Sequence, residues 1–322
     1  MTLDGDSLDH ATRSGLRFLA QRTASGELPC LVAEDPTLAR GVPDSNYFAA
    51  AQALWSLAAV EGAATLVRRL ARFVESGALT TGAWRFWTSK TYRPVDPDTD
   101  MTACAAAALR SVGRSFPPAT TDVLLRARRA EHFVTWVRPS DRPNDVCAVV
   151  NANVLWCLGQ RAETAATVEW LLSLVTRPAS TLPLLYYDTP LFLYHALSRA
   201  YADGVERLAT ATPAILAAVG GLRGRDGRYG NALETALAVA TLANLGERDP
   251  EAARALASAQ REDGSWPEAA FWNGPEQPAP RSLWWGSAEL TTAVALEALR
   301  PYAPATAPRR RGARSRARPA AR

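Results

Sequence analysis

The sequence predicts an all-α protein built as an α/α toroid, an α6/α6 barrel in which six helical hairpins close into a ring. The first observation is a repeat, because an acidic residue followed by a small, apolar run recurs six times. The six acids are Asp44, Asp100, Asp145, Asp188, Glu234 and Glu289. Their spacing leaves room for two helices, and a repeat of this length is typical of a solenoid or a ring. Six units of alternating outer and inner helices favour closure.

The second observation is the composition. Hydrophobic residues make up 48% of the 322 residues, which is sufficient for a large core. Alanine and leucine dominate the apolar set, so helices are favoured over strands. No apolar stretch reaches the roughly 18 residues that a membrane-spanning helix needs. The acidic N-terminal segment lacks the apolar core of a secretory signal, and the four cysteines form no C-x-x-C pair. We therefore expect a cytoplasmic protein with reduced cysteines.

The predicted hairpins follow one another from residue 16 to residue 299. Each pairs an amphipathic outer helix, whose arginines and glutamates face water, with an inner helix that is apolar nearly all round. The outer helices are predicted over 16–29, 66–77, 121–137, 163–174, 207–219 and 250–260. The inner helices are predicted over 48–60, 102–112, 146–158, 189–202, 232–245 and 287–299. Glycines after the helices suit C-caps, and acids before the inner helices suit N-caps.

The charge distribution divides the chain into a domain and a tail. The net charge is +4, but residues 303–322 hold seven arginines and no acid, which leaves residues 1–302 at −3. We expect residues 1–302 to form a single toroid domain. The Pro/Ala-rich tail over 303–322 cannot bury a core and is expected to be disordered. It is a candidate for peripheral contact with an anionic membrane, and no specific nucleic-acid partner is expected.

A turn in the last repeat carries a family resemblance. The segment Gln260–Trp266 reads Q-R-E-D-G-S-W, which resembles the QW motif, Q-x-x-x-G-x-W, of the terpenoid cyclase and protein prenyltransferase superfamily. Weaker copies lie at 82–84 and 226–229. The resemblance implies the α/α toroid fold. It also implies that Trp266 is a structural residue, since a buried indole stacks on neighbours while its N–H finds a partner.

A second motif points to chemistry. Asp98-Thr99-Asp100-Met101-Thr102-Ala103 resembles the D-x-D-D-T-A motif of class II terpene cyclases such as squalene–hopene cyclase, although Met101 stands in place of the third acid. The resemblance implies that Asp100 donates the proton that starts cyclisation and that Asp98 assists it. Such an acid has to stay protonated, which burial and a neighbouring carboxylate both favour. The alternative is that Asp100 is merely one more helix-start acid, like Glu234 and Glu289.

A carbocation also needs aromatic surroundings, because a ring face stabilises positive charge by roughly 0.5–2 kcal/mol per contact. Candidates for substrate contact lie on or just before the inner helices, although each can equally be a packing residue. They are Trp55, Asp145, Asn151, Trp156, Tyr187, Tyr194, His195 and Trp285, with Trp284 beside the last. Asn151 and its neighbour Asn153 need hydrogen-bond partners if buried, either in the scaffold or on a ligand.

The sequence therefore predicts a terpene cyclase-like enzyme, class II and proton-initiated, that acts on a small hydrophobic substrate, a linear isoprenoid, with no metal and no cofactor. One alternative is a non-catalytic toroid that binds a lipid, a peptide or a partner protein. Another is a zinc prenyltransferase-like enzyme, since Asp145, Cys147 and His195 offer the oxygen, sulfur and nitrogen ligands that zinc accepts.

Overall fold

The computed structural model describes residues 5–91, 95–276 and 279–303, and these are mostly helical. Twelve α-helices alternate along the described chain between an outer and an inner position. The outer helices are α1 (Gly5–Arg22), α3 (Ala64–Ser76), α5 (Thr120–Arg126), α7 (Ala165–Leu174), α9 (Thr212–Gly221) and α11 (Pro250–Ser258). The inner helices are α2 (Tyr47–Leu57), α4 (Thr99–Ser111), α6 (Ala148–Leu158), α8 (Pro190–Ala202), α10 (Ala232–Asn244) and α12 (Ala288–Leu299). The predicted helical character is confirmed.

The inner helices are buried on nearly every side. In α4, the run from Ala103 to Leu109 has no exposed surface, and its four successive alanines leave room for two neighbouring helices. Each inner helix contacts the next one along the chain, and α12 contacts α2. The six inner helices therefore form a closed circuit of contacts, with the outer helices packed against it.

The join between the last repeat and the first is tight. Gly264 lies in the turn after α11 with φ of +90°, and a Cβ there would lie 2.5 Å from the carbonyl oxygen of Ser14 in α1. The Gln260 side chain donates to the carbonyl of Ala11 at 2.9 Å. Only glycine fits such a close approach at positive φ without strain. The turn of the predicted QW motif thus holds the end of the chain against its beginning.

Two of the turns between outer and inner helices are built alike. The backbone N–H of Trp84 donates to Thr102 Oγ1, and that of Trp266 donates to Thr292 Oγ1, both at 3.0 Å. The indole N–H of each tryptophan reaches a carbonyl of its own outer helix, at 2.8 Å and 2.7 Å. Both side chains are fully buried. These contacts link each outer helix to the inner helix that follows.

The expectation of a wholly helical chain is wrong. A four-stranded antiparallel sheet consists of β1 (Cys30–Ala33), β2 (Val42–Asp44), β5 (Ala270–Glu276) and β6 (Ala279–Gly286), in the order β2-β1-β6-β5. Its strands come from loops of the first and last repeats, which meet because α12 lies beside α2. The pairing of β1 with β6 joins segments about 250 residues apart, so local sequence patterns do not reveal it.

The third outer helix is shorter than the predicted span 121–137. Helix α5 ends at Arg126 and is followed by two short strands, β3 (Arg128–Arg129) and β4 (His132–Phe133), that pair with each other. Ala130 has φ of +52° in the turn between them. A left-handed residue at this point cannot continue a right-handed helix.

The repeated acids have several roles instead of a single N-capping role. The N-cap of α4 is Asp98, whose side chain accepts from the Met101 N–H, whereas Asp100 lies inside the first turn. Side-chain caps on other inner helices come from Asn46, Thr189, Asn231 and Ser287. Three of the acids accept an indole N–H instead. These pairs are Asp44 with Trp87, Asp145 with Trp136, and Asp188 with Trp284.

The remaining expectations concern the tail, the cysteines and the membrane. The Arg-rich tail lies outside the described residues from 304 onward. Cys30, Cys104, Cys147 and Cys157 are buried and free. No helix in the described ranges is long and apolar enough to cross a bilayer.

Candidate active site

A cavity of about 360 Å³ opens at the N-terminal ends of the inner helices, and we call it the ring cavity. Its wall combines residues in the first turns of α2 and α4, residues of the loops that precede α4, α6 and α8, and residues of strands β5 and β6. It is lined by Phe48, Phe86, Trp87, Val95, Asp96, Asp98, Asp100, Thr135, Trp136, Arg138, Arg142, Tyr186, Tyr187, Trp272, Asn273, Gly274 and Trp285. Its volume lies within the range of small-molecule sites.

Aromatic rings form one side of the ring cavity. Trp272 and Trp285, from paired strands β5 and β6, have parallel indoles with centroids 6.4 Å apart. Phe86 meets both of them edge to face, at 5.4 Å and 5.8 Å. Phe48 packs against Trp272 at 5.0 Å. Such a surface offers several ring faces to a hydrophobic or cationic ligand.

Asp100 also lines the ring cavity and is held on both oxygens. Asn153 donates to its Oδ1 and the Tyr187 hydroxyl donates to its Oδ2, each at 2.7 Å. Burial raises the pKa of Asp100 above its usual value, although both hydrogen bonds and the charge of Arg199 favour the ionised form. The raised pKa favours the protonated carboxyl, while donors are in place for the anion that remains after the proton leaves.

Asp98 lies two residues before Asp100, at the N-cap of α4, and is also buried. Its carboxyl accepts from the Met101 N–H at 2.6 Å, which fixes it as the N-cap of α4. Burial raises its pKa to about 8, and the negative charges of Asp100 and Asp145 act in the same direction. Near neutral pH, Asp98 is therefore mainly an uncharged acid. Asp98 and Asp100 both line the ring cavity.

Below Asp100, the ring is filled by a polar network around Arg199. The Arg199 guanidinium, 2% exposed, donates to Asn153 Oδ1 at 2.6 Å and to Gln52 Oε1 at 3.0 Å. It also lies 3.9 Å from the ring centroid of Trp156 and 5.8 Å from that of Trp55. A buried cation needs such partners. Asn153 thereby connects Arg199 to Asp100.

Several predicted contact residues belong to this filled region or to the scaffold. Asn151 accepts the Phe133 N–H at 2.7 Å, as Thr102 and Thr292 accept a tryptophan N–H in their turns. It also donates to the Phe133 carbonyl. His195 pairs with Glu297 at 3.0 Å, and Ser56 donates to the second oxygen of Glu297. Tyr194 is buried in the core. Among the described residues, neither these nor Trp55 and Trp156 belong to the cavity lining.

The other predicted residues lie at the cavity or beside it. Tyr187 and Trp285 line it, together with the two acids. Asp145 lies behind the lining, where its Oδ2 accepts from the Tyr186 hydroxyl at 2.8 Å and the Trp136 indole at 3.1 Å. Trp284 donates to Asp188 instead.

Sequence reasoning missed Tyr186, Trp272 and Arg199 and gave Asn153 no assigned role. Trp272 is brought to the cavity by a sheet that the repeat pattern did not reveal. Arg199 left a signal, because it is a charged residue in the last turn of an inner helix whose neighbours are buried. A buried charge of this kind needs a partner and is therefore a marker of a polar centre.

The zinc alternative has no geometric support. Asp145 is engaged by Tyr186 and Trp136, and His195 by Glu297. Burial raises the pKa of the Cys147 thiol to about 11, which disfavours the thiolate that zinc binds. Within the described ranges, no group of three or more histidine, cysteine, aspartate or glutamate side chains is placed to hold a metal.

Comparisons with known proteins support the fold. Neither protein-family models nor curated proteins gave a match. Among solved structures, a protein from Actinoplanes has a TM-score of 0.72 at 20% identity, and the similarity covers 92% of this chain and 100% of that one. The apo type II terpene cyclase MstE from Scytonema has a TM-score of 0.71 at 15% identity, covering 94% and 99% of the two chains.

A longer solved structure is matched over part of its length. The ent-copalyl diphosphate synthase from Streptomyces platensis has a TM-score of 0.60 at 22% identity, covering 79% of this chain and 50% of that one. These TM-scores, at low sequence identity, show that the fold is shared with type II terpene cyclases. The predicted resemblance to the terpenoid cyclase superfamily is therefore confirmed at the level of the fold.

Proposed function

We propose that the chain is a type II terpene cyclase whose residues 1–302 form a single α6/α6 toroid. The closed circuit of inner-helix contacts and the Gly264 join support the toroid. Structures of MstE contain geranylgeranyl dihydroxybenzoate as substrate and merosterolic acid A as product. By analogy, the proposed substrate is a linear isoprenoid.

Asp100 is the proposed proton donor. The observation that carries this assignment is a buried carboxyl with a raised pKa in the wall of an aromatic cavity, held by Asn153 and Tyr187. Transfer of its proton to a terminal double bond or epoxide produces a carbocation, which neighbouring double bonds attack in turn. The hydrogen bonds to Asp100 then stabilise its carboxylate. Asp98 assists as a second, uncharged acid beside it.

The aromatic wall supplies the remaining requirement. The faces of Trp272, Trp285 and Phe86 stabilise the developing positive charge and exclude water that would intercept it. No protein residue has to provide redox chemistry or a nucleophile for this reaction. The proposal therefore needs only an acid, an enclosing apolar surface and a group that removes the last proton.

The test uses purified protein with linear isoprenoids, including geranylgeranyl dihydroxybenzoate and geranylgeranyl diphosphate, and analysis of cyclic products by mass spectrometry. Asp100→Asn should reduce turnover by at least about a hundredfold, since general acid catalysis contributes that much or more. The matched control is Glu234→Gln, which changes a first-turn acid of inner helix α10 that completes a capping box instead. Substrate binding without turnover by the unaltered protein would favour the non-catalytic toroid.

A further inference from the structure

Tyr186 and Tyr187 are consecutive, yet their hydroxyls serve different carboxylates. Tyr187 donates to Asp100, the proposed acid, at 2.7 Å. Tyr186 also lines the ring cavity, but its hydroxyl donates to Asp145 Oδ2 at 2.8 Å. Two carboxyl groups therefore connect to one cavity through neighbouring phenols in the chain.

Asp145 is held in place by its surroundings and retains spare capacity to accept a proton. Its Oδ2 also accepts the Trp136 indole N–H, and its carbonyl accepts the Thr135 N–H at 3.0 Å. The Oδ1 atom is buried and has no hydrogen-bond partner among the described residues. An unpaired buried carboxylate oxygen is costly, so it needs an explanation. Packing alone does not require a carboxylate here, because an amide would accept the same two hydrogen bonds.

The phenol between Asp145 and the cavity is suited to relay a proton. Burial and the charge of Asp145 both raise the pKa of the Tyr186 hydroxyl, so it does not ionise on its own. Its oxygen keeps lone pairs while its proton points to Asp145. A proton that reaches this oxygen from the cavity can be accepted only as the phenol proton passes to the carboxylate.

We propose that Tyr186 and Asp145 form the base that ends the cyclisation, an inference that rests on the proposed function. The C–H bond next to the final cationic carbon breaks, and its electron pair forms the C=C double bond of the product. The proton joins the Tyr186 oxygen as the Tyr186 proton moves to Asp145. The positive charge of the substrate and the negative charge of Asp145 disappear together, and Asp145 later releases its proton to solvent. Tyr186 is the catalytic residue of the pair, and Asp145 acts through it.

The test compares the products of Tyr186→Phe and Asp145→Asn with those of the unaltered protein, using a linear isoprenoid that the latter cyclises. Asp145→Asn can keep both hydrogen bonds but cannot take up a proton, so it carries the test even if Tyr186→Phe folds poorly. Formation of the original alkene should fall by about a hundredfold or more in both variants. Substrate consumption should fall much less, with isomeric alkenes or alcohols formed by water capture as the new products.

The control is Tyr229→Phe. Tyr229 is a buried tyrosine whose hydroxyl donates to Asp249 at 3.1 Å, in a tyrosine–aspartate pair away from the cavity lining. It should leave the product mixture unchanged. Cyclisation to an unchanged product mixture in both test variants would overturn the assignment of the base while leaving the proposed function intact. A lack of cyclisation by the unaltered protein would overturn both.

Discussion

Replacement of Asp98 by asparagine should make the protein more stable at neutral and alkaline pH. The folded state raises the pKa of Asp98 from 3.8 to about 8, chiefly by burial. Between these values the folded state holds a proton that the unfolded chain has released, so stability falls as the pH rises. A shift of about four units, at about 1.4 kcal/mol per unit, corresponds to roughly 6 kcal/mol above pH 8. Asp98 is only 6% exposed, so solvent screening reduces this figure little.

Asparagine is a suitable replacement because it caps helices as well as aspartate does and can accept the same Met101 N–H. The assay is urea unfolding of both proteins at intervals from pH 4 to pH 9. The two free energies of unfolding should differ least near pH 4, and the variant's advantage should grow to several kcal/mol by pH 8. Asp100 and Asp145 interact with Asp98, but the remaining titrating groups are common to both proteins and cancel in the difference. A difference that stays constant with pH would refute the reasoning.

The remaining predictions also concern stability. Arg199→Met should cost about 1–3 kcal/mol in urea unfolding for each acceptor it leaves unpaired, because the buried amide oxygens of Asn153 and Gln52 lose their donor. Gly264→Ala should lower the melting temperature more than Gly246→Ala does. Both glycines have positive φ, but a Cβ at Gly264 meets the Ser14 carbonyl, whereas one at Gly246 meets nothing within 4 Å. Although burial opposes it, attraction to its histidine partner lowers the pKa of Glu297 to about 2. The stabilisation from Glu297 is therefore present above pH 4.5 and lost as the pH falls towards 2, and it amounts to about 3 kcal/mol. In acid unfolding, the free energy of unfolding of Glu297→Gln should lack this pH-dependent loss.

The six acids of the repeat illustrate how one sequence pattern supports several functions. Asp145 and Asp188 accept indole N–H groups, Glu234 completes a capping box, and Asp100 lies at the proposed acid position. Their common feature is a place near the start of an inner helix, where a negative group is favoured by the helix dipole. Their differences depend on which neighbour reaches each carboxyl, and those neighbours come from other repeats.

Local sequence patterns were sufficient to predict the helices, because helix formation depends on residues that are near one another in the chain. The alanine-rich run after Asp100 predicts a buried inner helix, and Gln260–Trp266 predicts a tight turn, as observed. The pair Asp98 and Asp100 was also evident from the sequence, since both belong to one short motif. These features follow from side-chain periodicity, capping and glycine conformation, all of which operate over a few residues.

Tertiary structure alone decided the composition of the cavity. Closure of the inner-helix circuit brings β1 beside β6 and carries Trp272 and Trp285 to the cavity that Asp100 also lines. It also determined that Asn153, two residues from Asn151, points to Asp100 while Asn151 binds backbone. The physical reason is that burial, partner and charge depend on contacts between residues far apart in the chain. A sequence specifies which groups are available, and only the closed fold determines which of them meet.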